Sequence, residues 1–122
     1  MNVYGVWPNV ERVLLAYLKQ ETGAATYTET PSNLETVSPC IVVERIPGGF
    51  GRDYEKTFHV DLAVFAKTRG AVWDLVQKVE VAMVLCNLFD QVRESDSFGN
   101  VAYSNAALRR AVGTYELDAR PQ

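Results

Sequence analysis

A single histidine, two distant cysteines and a glycine run ending in arginine are the residues whose types invite chemistry. His59 is the only histidine among 122 residues. Without a second imidazole the chain has neither a facial metal triad nor a two-histidine zinc site. His59 sits between Phe58 and Val60 in an alternating pattern, so its expected place is a structural or exposed sheet position and not a Ser–His relay. Cys40 is followed by Ile41 and Val42, and Cys86 is flanked by Val84, Leu85 and Leu88. They read as two buried free thiols; a disulfide between them is the alternative. No Cys-x-x-Cys pair offers a zinc or redox site. Gly48, Gly49 and Gly51 before Arg52 invite a phosphate-loop reading, but the Walker spacing is missing and a strand, not a helix, follows. The cluster reads instead as a flexible hairpin tip. Phe50 and Arg52 on such a tip suit a contact loop, because aromatic and arginine side chains are favoured at interfaces. Asp61, Asp74, Glu80, Asp90 and Glu94 form no spaced carboxylate pair and read as solvated faces. Arg109 and Arg110 point opposite ways in an alternating strand and make no basic patch by themselves. No catalytic, cofactor-binding or metal-ligating constellation is expected, and an enzyme is the least favoured class.

The elements that position these residues follow from periodicity. Pro8 and Asn9 signal the start of a first helix over Asn9–Gln20. Val10, Val13, Leu14, Tyr17 and Leu18 form its apolar face at helical spacing, and Gly23 is its stop. Ala24–Ser38 is rich in Thr, Ser, Glu and Pro and reads as a long surface connection, with room for a short strand at Thr26–Thr28. After Pro39, the β-branched run Cys40–Ile46 predicts a strand covered on both faces over its first half. Tyr54–Ala66 alternates Phe58, Val60, Leu62 and Val64 with His59, Asp61 and Ala63, predicting a strand with one buried face. Joined by the glycine-rich loop, these two make a long hairpin.

Thr68 is an N-cap for a second helix reaching Leu88. Val72, Leu75, Val76, Val79, Ala82, Met83 and Cys86 form its core stripe. Val81, Val84, Leu85 and Leu88 lie on the side opposite that stripe. A helix that is apolar all round is buried all round. Either a partner chain covers this side, or the end of the helix tucks under a loop of its own chain. Gln91–Asn100 is polar, with Ser97–Asn100 as a turn, and Val101–Ser104 is a candidate short strand. Leu108–Arg120 predicts the last strand, with Ala111, Gly113, Tyr115, Leu117 and Ala119 on one face. The order is α-β-β-α-β-β: an α+β domain on a mainly antiparallel sheet with two helices, with residues 1–122 as one unit.

Composition narrows the classes. With 48% hydrophobic residues the chain has the material for a core, and its net charge of −3 argues against a general nucleic-acid binder while leaving room for a local basic patch, since composition does not report distribution. The same charge disfavours an anionic membrane surface. No stretch approaches the length of a membrane span. The opening Met1–Glu11 lacks the charged and apolar regions of a signal peptide, so the chain is expected to stay where it is made.

Taken in order, these segments resemble a tail terminator, or tail completion, protein of long-tailed bacteriophages. The likeness runs through Pro8-Asn9-Val10-Glu11, then Cys40–Ile46 into Gly48-Gly49. It continues through Phe58–Ala66 and Thr68-Arg69 to the helix with Ala71, Trp73 and Leu75, and ends on Arg109-Arg110 and Gly113–Arg120. The resemblance implies a structural virion protein without catalytic motif or cofactor. It implies a homohexameric ring on the head-proximal end of the tail tube, which stops tube polymerisation and meets the head's connector or stopper protein. It implies synthesis in the host cytoplasm, residence in the virion, and DNA passing through the lumen without specific binding. An acidic chain suits such a channel, since bound phosphates stall passage. Two alternatives stay open: another head–tail joining protein such as a connector stopper, and a small-molecule-binding α+β regulatory domain, which needs a pocket with convergent polar groups.

Overall fold

Asn9 caps the first helix, α1 (Val10–Thr22), by accepting from the Arg12 N–H at 3.2 Å, which satisfies one of the N–H groups that a helix start leaves unpaired. Gly23 closes it at a φ of 74° and returns its N–H to the Lys19 carbonyl. The computed structural model describes residues 6–52 and 54–121. The reading of the opening segment as no signal peptide rests partly on Met1–Gly5, which lie outside the described residues. Next come β1 (Ala25–Tyr27), α2 (Leu34–Val37), β2 (Cys40–Ile46), β3 (Lys56–Ala66), α3 (Arg69–Val84), β4 (Gln91–Asn100) and β5 (Arg109–Ala119).

The five strands form one sheet in the order β1-β2-β3-β5-β4. β2, β3, β5 and β4 pair antiparallel, whereas β1 lies parallel to β2, so the sheet is mixed. The alternation of β3 holds: Phe58, Val60, Leu62 and Val64 are buried on one face, with Ile41 and Val43 of β2 and Ala111, Tyr115 and Leu117 of β5. α1 contributes Leu14 and Leu18 to that core, and α3 contributes Val72, Leu75, Val76, Val79 and Met83. The first half of β2 is covered on both faces, as its unbroken apolar run requires. On the reverse face Leu34, Cys40, Val42, Phe65 and Leu108 make a second, smaller cluster, where the Tyr103 ring meets Phe65 edge-on at 5.0 Å. Cys40 and Cys86 are both free; Cys40 is buried and Cys86 only partly so. Burial pushes the Cys40 thiol up to about 11, which keeps it protonated and unreactive.

Several expectations need correction. The order is α-β-α-β-β-α-β-β, with a third helix and a fifth strand. β1 is offset by one residue from the expected Thr26–Thr28, and the one-turn α2 lies in what read as plain connection. β3 begins at Lys56, not Tyr54. α3 stops at Val84, not Leu88, and Cys86 falls outside the core. The reason lies in α1. The Ala82 carbonyl, which would accept from Cys86 in a continuing helix, accepts instead from the Tyr17 hydroxyl at 2.6 Å, while the Cys86 N–H turns to Met83 at 3.3 Å. The chain then enters β4 with the Asp90 N–H on the Asp118 carbonyl.

The polar segment Gln91–Asn100 is an edge strand, so Ser97–Asn100 is not a turn, and Val101–Ser104 is loop rather than a short strand. Two register shifts, between Glu94 and Asp96 and between Asp96 and Gly99, break the alternation that would have revealed it. Phe98 is its one buried side chain and packs on Gly113 of β5: a Cβ built at Gly113 lies 2.9 Å from the Phe98 ring. Gly113→Ala should therefore force Phe98 outward and cost on the order of 1–3 kcal/mol. Urea unfolding checks this, and an unchanged midpoint would show that Phe98 does not hold β4 to the sheet.

Candidate interaction surface

β3 runs away from the β2–β3 hairpin and α3 returns toward it. The carboxyl-terminal end of α3 thus lies at the hairpin end of the sheet. There Val81 is 59%, Val84 83%, Leu85 71% and Leu88 51% exposed. The preceding outward residues of α3, Asp74, Gln77 and Lys78, are polar or charged. So water meets a polar helix surface that turns apolar over its last turn, and exposed apolar clusters of this kind mark interaction sites. Val81 and Val84 are on α3 itself; Leu85 caps it and Leu88 belongs to the following turn.

α1 gives this surface its shape. Between α1 and α3 runs a furrow of about 820 Å³ whose apolar lining includes Val81, Ala82 and Leu85 and whose rim carries Glu21, Asp74 and Lys78. Tyr17 spans it through the bond to Ala82. A second furrow of about 540 Å³ adjoins the turn after α3, lined among others by Val13, Leu88 and Phe89. The structure therefore brings Val81 and Leu85 together on one furrow and Leu88 onto the next. Val13 and Tyr17 were legible in the sequence only as part of the core stripe of α1. Their residual exposure, which makes them walls of the furrows, follows from the antiparallel packing of α1 on α3.

The hairpin tip is closed by backbone hydrogen bonds. Thr57 donates its N–H to the Phe50 carbonyl at 2.9 Å, and Arg52 donates to Glu55 at 2.6 Å. Gly49 has a φ of 75°, and a Cβ there would stand 2.2 Å from the Thr57 carbonyl oxygen, so only glycine fits. Phe50 is 68% and Tyr54 66% exposed, and Arg52 is exposed. Neither Phe50 nor Arg52 lines the α1–α3 furrows. The tip and the α3 patch are separate features of one end of the molecule.

The face of the sheet away from α1 and α3 is polar over its hairpin half. Arg93 grips Asp118 with two bonds of 2.8 and 3.1 Å, and Thr57 donates to the same carboxylate at 2.7 Å. Thr114 donates to Asp61 at 2.6 Å. His59 Nε2 lies 3.4 Å from Glu116, so the lone histidine is engaged by a neighbouring strand. Among the described residues no three His, Cys, Asp or Glu side chains converge as a metal-holding group, and no helix is long and apolar enough to cross a membrane. The chain matches no protein-family model and none of the curated proteins compared with it.

The Arg93–Asp118 pair has a pH signature. Its hydrogen bond from Arg93, aided by the one from Thr57, holds the Asp118 carboxyl below the usual carboxylate range. A depressed carboxylate contributes stability that is fully present above its unfolded pKa of about 3.9 and is lost as pH falls through the lower folded value. Asp118→Asn should lower the melting temperature at neutral pH and flatten its decline below about pH 4. Thermal melts against pH check this; parallel curves for the two proteins would mean that the pair adds nothing to acid sensitivity.

Proposed function

We propose that this chain is a structural assembly protein that builds a closed ring of identical subunits and caps the head-proximal end of a phage tail tube. In this reading the ring ends tube polymerisation, offers its other side to the head's connector, and leaves a lumen for DNA. The observation that carries the self-association is the exposed apolar run Val81, Val84, Leu85 and Leu88 beside the α1–α3 furrow. Full burial of four such side chains is worth roughly 1.5–3 kcal/mol each before ordering costs. A subunit that covers this surface with a different part of its own surface makes a head-to-tail contact, which closes into a ring when the rotation permits. The resemblance of the sequence to tail terminators supplies the position on the tail, the partners and the number six.

A second reading, a small-molecule-binding regulatory domain, draws on the furrow volume, which falls within the roughly 300–1,000 Å³ of ligand pockets. Against it stands the lining: Glu21, Asp74 and Lys78 lie on an open rim and do not converge on an enclosed point. A connector stopper remains the other structural reading, and it is separated by its partner: it binds portal or connector protein and ignores tail tube protein.

Light scattering at high concentration, alone and then with tail tube protein, tests the assembly. The wild-type chain should form a ring in at least the second condition. Leu85→Glu should weaken assembly there, with an unchanged circular-dichroism spectrum because Leu85 lies outside the core. A monomer that ignores tail tube protein, or a Leu85→Glu variant that assembles normally, removes the reading.

The hairpin tip is tested separately. Changing Phe50 and Arg52 together to Ala should shift the melting temperature little, since exposed side chains away from special features contribute within about 0.5 kcal/mol. The same variant should bind the tube or a neighbouring subunit less well. Normal assembly would show that the tip is not a contact loop.

A further inference from the structure

At the end of the sheet opposite the hairpin, the loop between β4 and β5 gathers three arginines. Arg69 opens α3, and Arg109 and Arg110 open β5. Their order in an alternating strand predicts that the last two point apart, yet all three line one surface pocket of about 430 Å³. Arg109 Nη1 donates to the Ala106 and Leu108 carbonyls at 2.9 and 3.2 Å. Arg110 Nη2 donates to Ala102 at 2.8 Å, and its guanidinium lies 5.2 Å from the Tyr103 ring centroid. Arg110 Nε is buried without a hydrogen-bond partner.

The charges in this pocket are left open. Among the described residues, ion pairs engage His59, Arg93 and Arg120, and no carboxylate lies within 4.0 Å of Arg69, Arg109 or Arg110. That is notable in a chain with 15 acidic residues against 12 lysines and arginines. Glu35, the one acid engaged by this loop, accepts from Asn105 at 2.8 Å and lines a different pocket. A guanidinium has five donors, and the bonds to loop carbonyls use only part of those on Arg109 and Arg110. They also hold both groups in place, so less freedom is lost when an anion arrives.

We propose that this pocket docks an acidic segment of a partner protein, a carboxylate meeting Arg69 and Arg109 while an adjacent apolar side chain rests on Val101 and Tyr103. Val101 is 41% exposed and Tyr103 partly so, which gives the apolar half of the match. Nucleic acid is disfavoured by the surroundings. A phosphodiester strand runs on past the pocket, and the exposed Glu94 and Asp96 of β4 and the net negative charge then oppose it. A protein segment that alternates carboxylates with apolar residues carries fewer charges past β4 and also fills the apolar half of the pocket. The site lies at the far end from Leu85 and stands independently of ring assembly.

Fluorescence anisotropy with the intact chain tests this, using a labelled peptide of alternating glutamate and leucine. Binding should be saturable, weaken with added salt, and vanish for the peptide with glutamine in place of glutamate. The double variant Arg69→Ala, Arg109→Ala should bind roughly tenfold more weakly with its melting temperature kept. The double lysine variant should recover part of the loss, because an ammonium keeps the charge but not the planar fork. No binding by the wild-type chain, or equal binding by the double alanine variant, overturns the proposal. So does a single-stranded oligonucleotide that displaces the peptide at lower concentration than unlabelled peptide does, since it would make the pocket a phosphate site.

Discussion

The strict two-residue alternation of β3, paired along its length, is the constraint on which the rest of the molecule depends. β5 is its antiparallel partner from Lys56↔Ala119 to Ala66↔Arg109, and β2 is its other partner from His59 to Phe65. A slip of one residue would turn Phe58, Val60, Leu62 and Val64 to the other face and bring Thr57, His59 and Asp61 into the core. With the register set, α1 and α3 have one apolar face to cover, and the ionic groups of β3 and β5 meet on the other. Thr57 with Asp118, His59 with Glu116 and Asp61 with Thr114 are cross-strand pairs of that register.

The same geometry explains why one end of α3 is left in water. α3 crosses the sheet antiparallel to β3, and α1 lies beside it. Only the stripe from Val72 to Met83 can face the strands. Tyr17 then takes the Ala82 carbonyl and the helix stops, so Leu85 and Leu88 enter a turn that leads to β4. Their exposure is the result of a helix that ends on a hydrogen bond from its neighbour rather than on a covering layer. An apolar surface made in this way is cheap for the fold to keep, since Tyr17 and Ala82 satisfy each other whether or not Leu85 is covered.

Strong periodicity was what made elements legible in the sequence. α1, β3 and β5 each bury a regular stripe and β2 an unbroken apolar run, and these four were legible close to their observed limits, as was the start of α3. β4 was not, because an edge strand with two bulges and one buried side chain has almost no stripe to read. The end of α3 was misplaced because the stop signal, Tyr17, lies 65 residues away from Ala82, and local propensity does not report it. Of the proposed contact residues, Phe50, Val81, Val84, Leu85 and Leu88 are large apolar side chains in water, and Arg52 is exposed on the hairpin tip with Phe50. The arginine pocket was hidden because Arg69 and the Arg109-Arg110 pair are brought together only by the sheet, and the strand pattern argued for opposite directions.

The two edges of the sheet have a bearing on how copies of this protein can meet. β1 offers only three residues at one edge. At the other edge the bulges in β4 and its exposed Glu94 and Asp96 spoil the straight row of amide groups that a second chain needs for strand addition. Backbone pairing between molecules is thereby discouraged on both sides. Any contact between copies is then left to side chains, whose fit depends on shape and charge. Edges of this kind do not template the strand-by-strand addition that builds fibres.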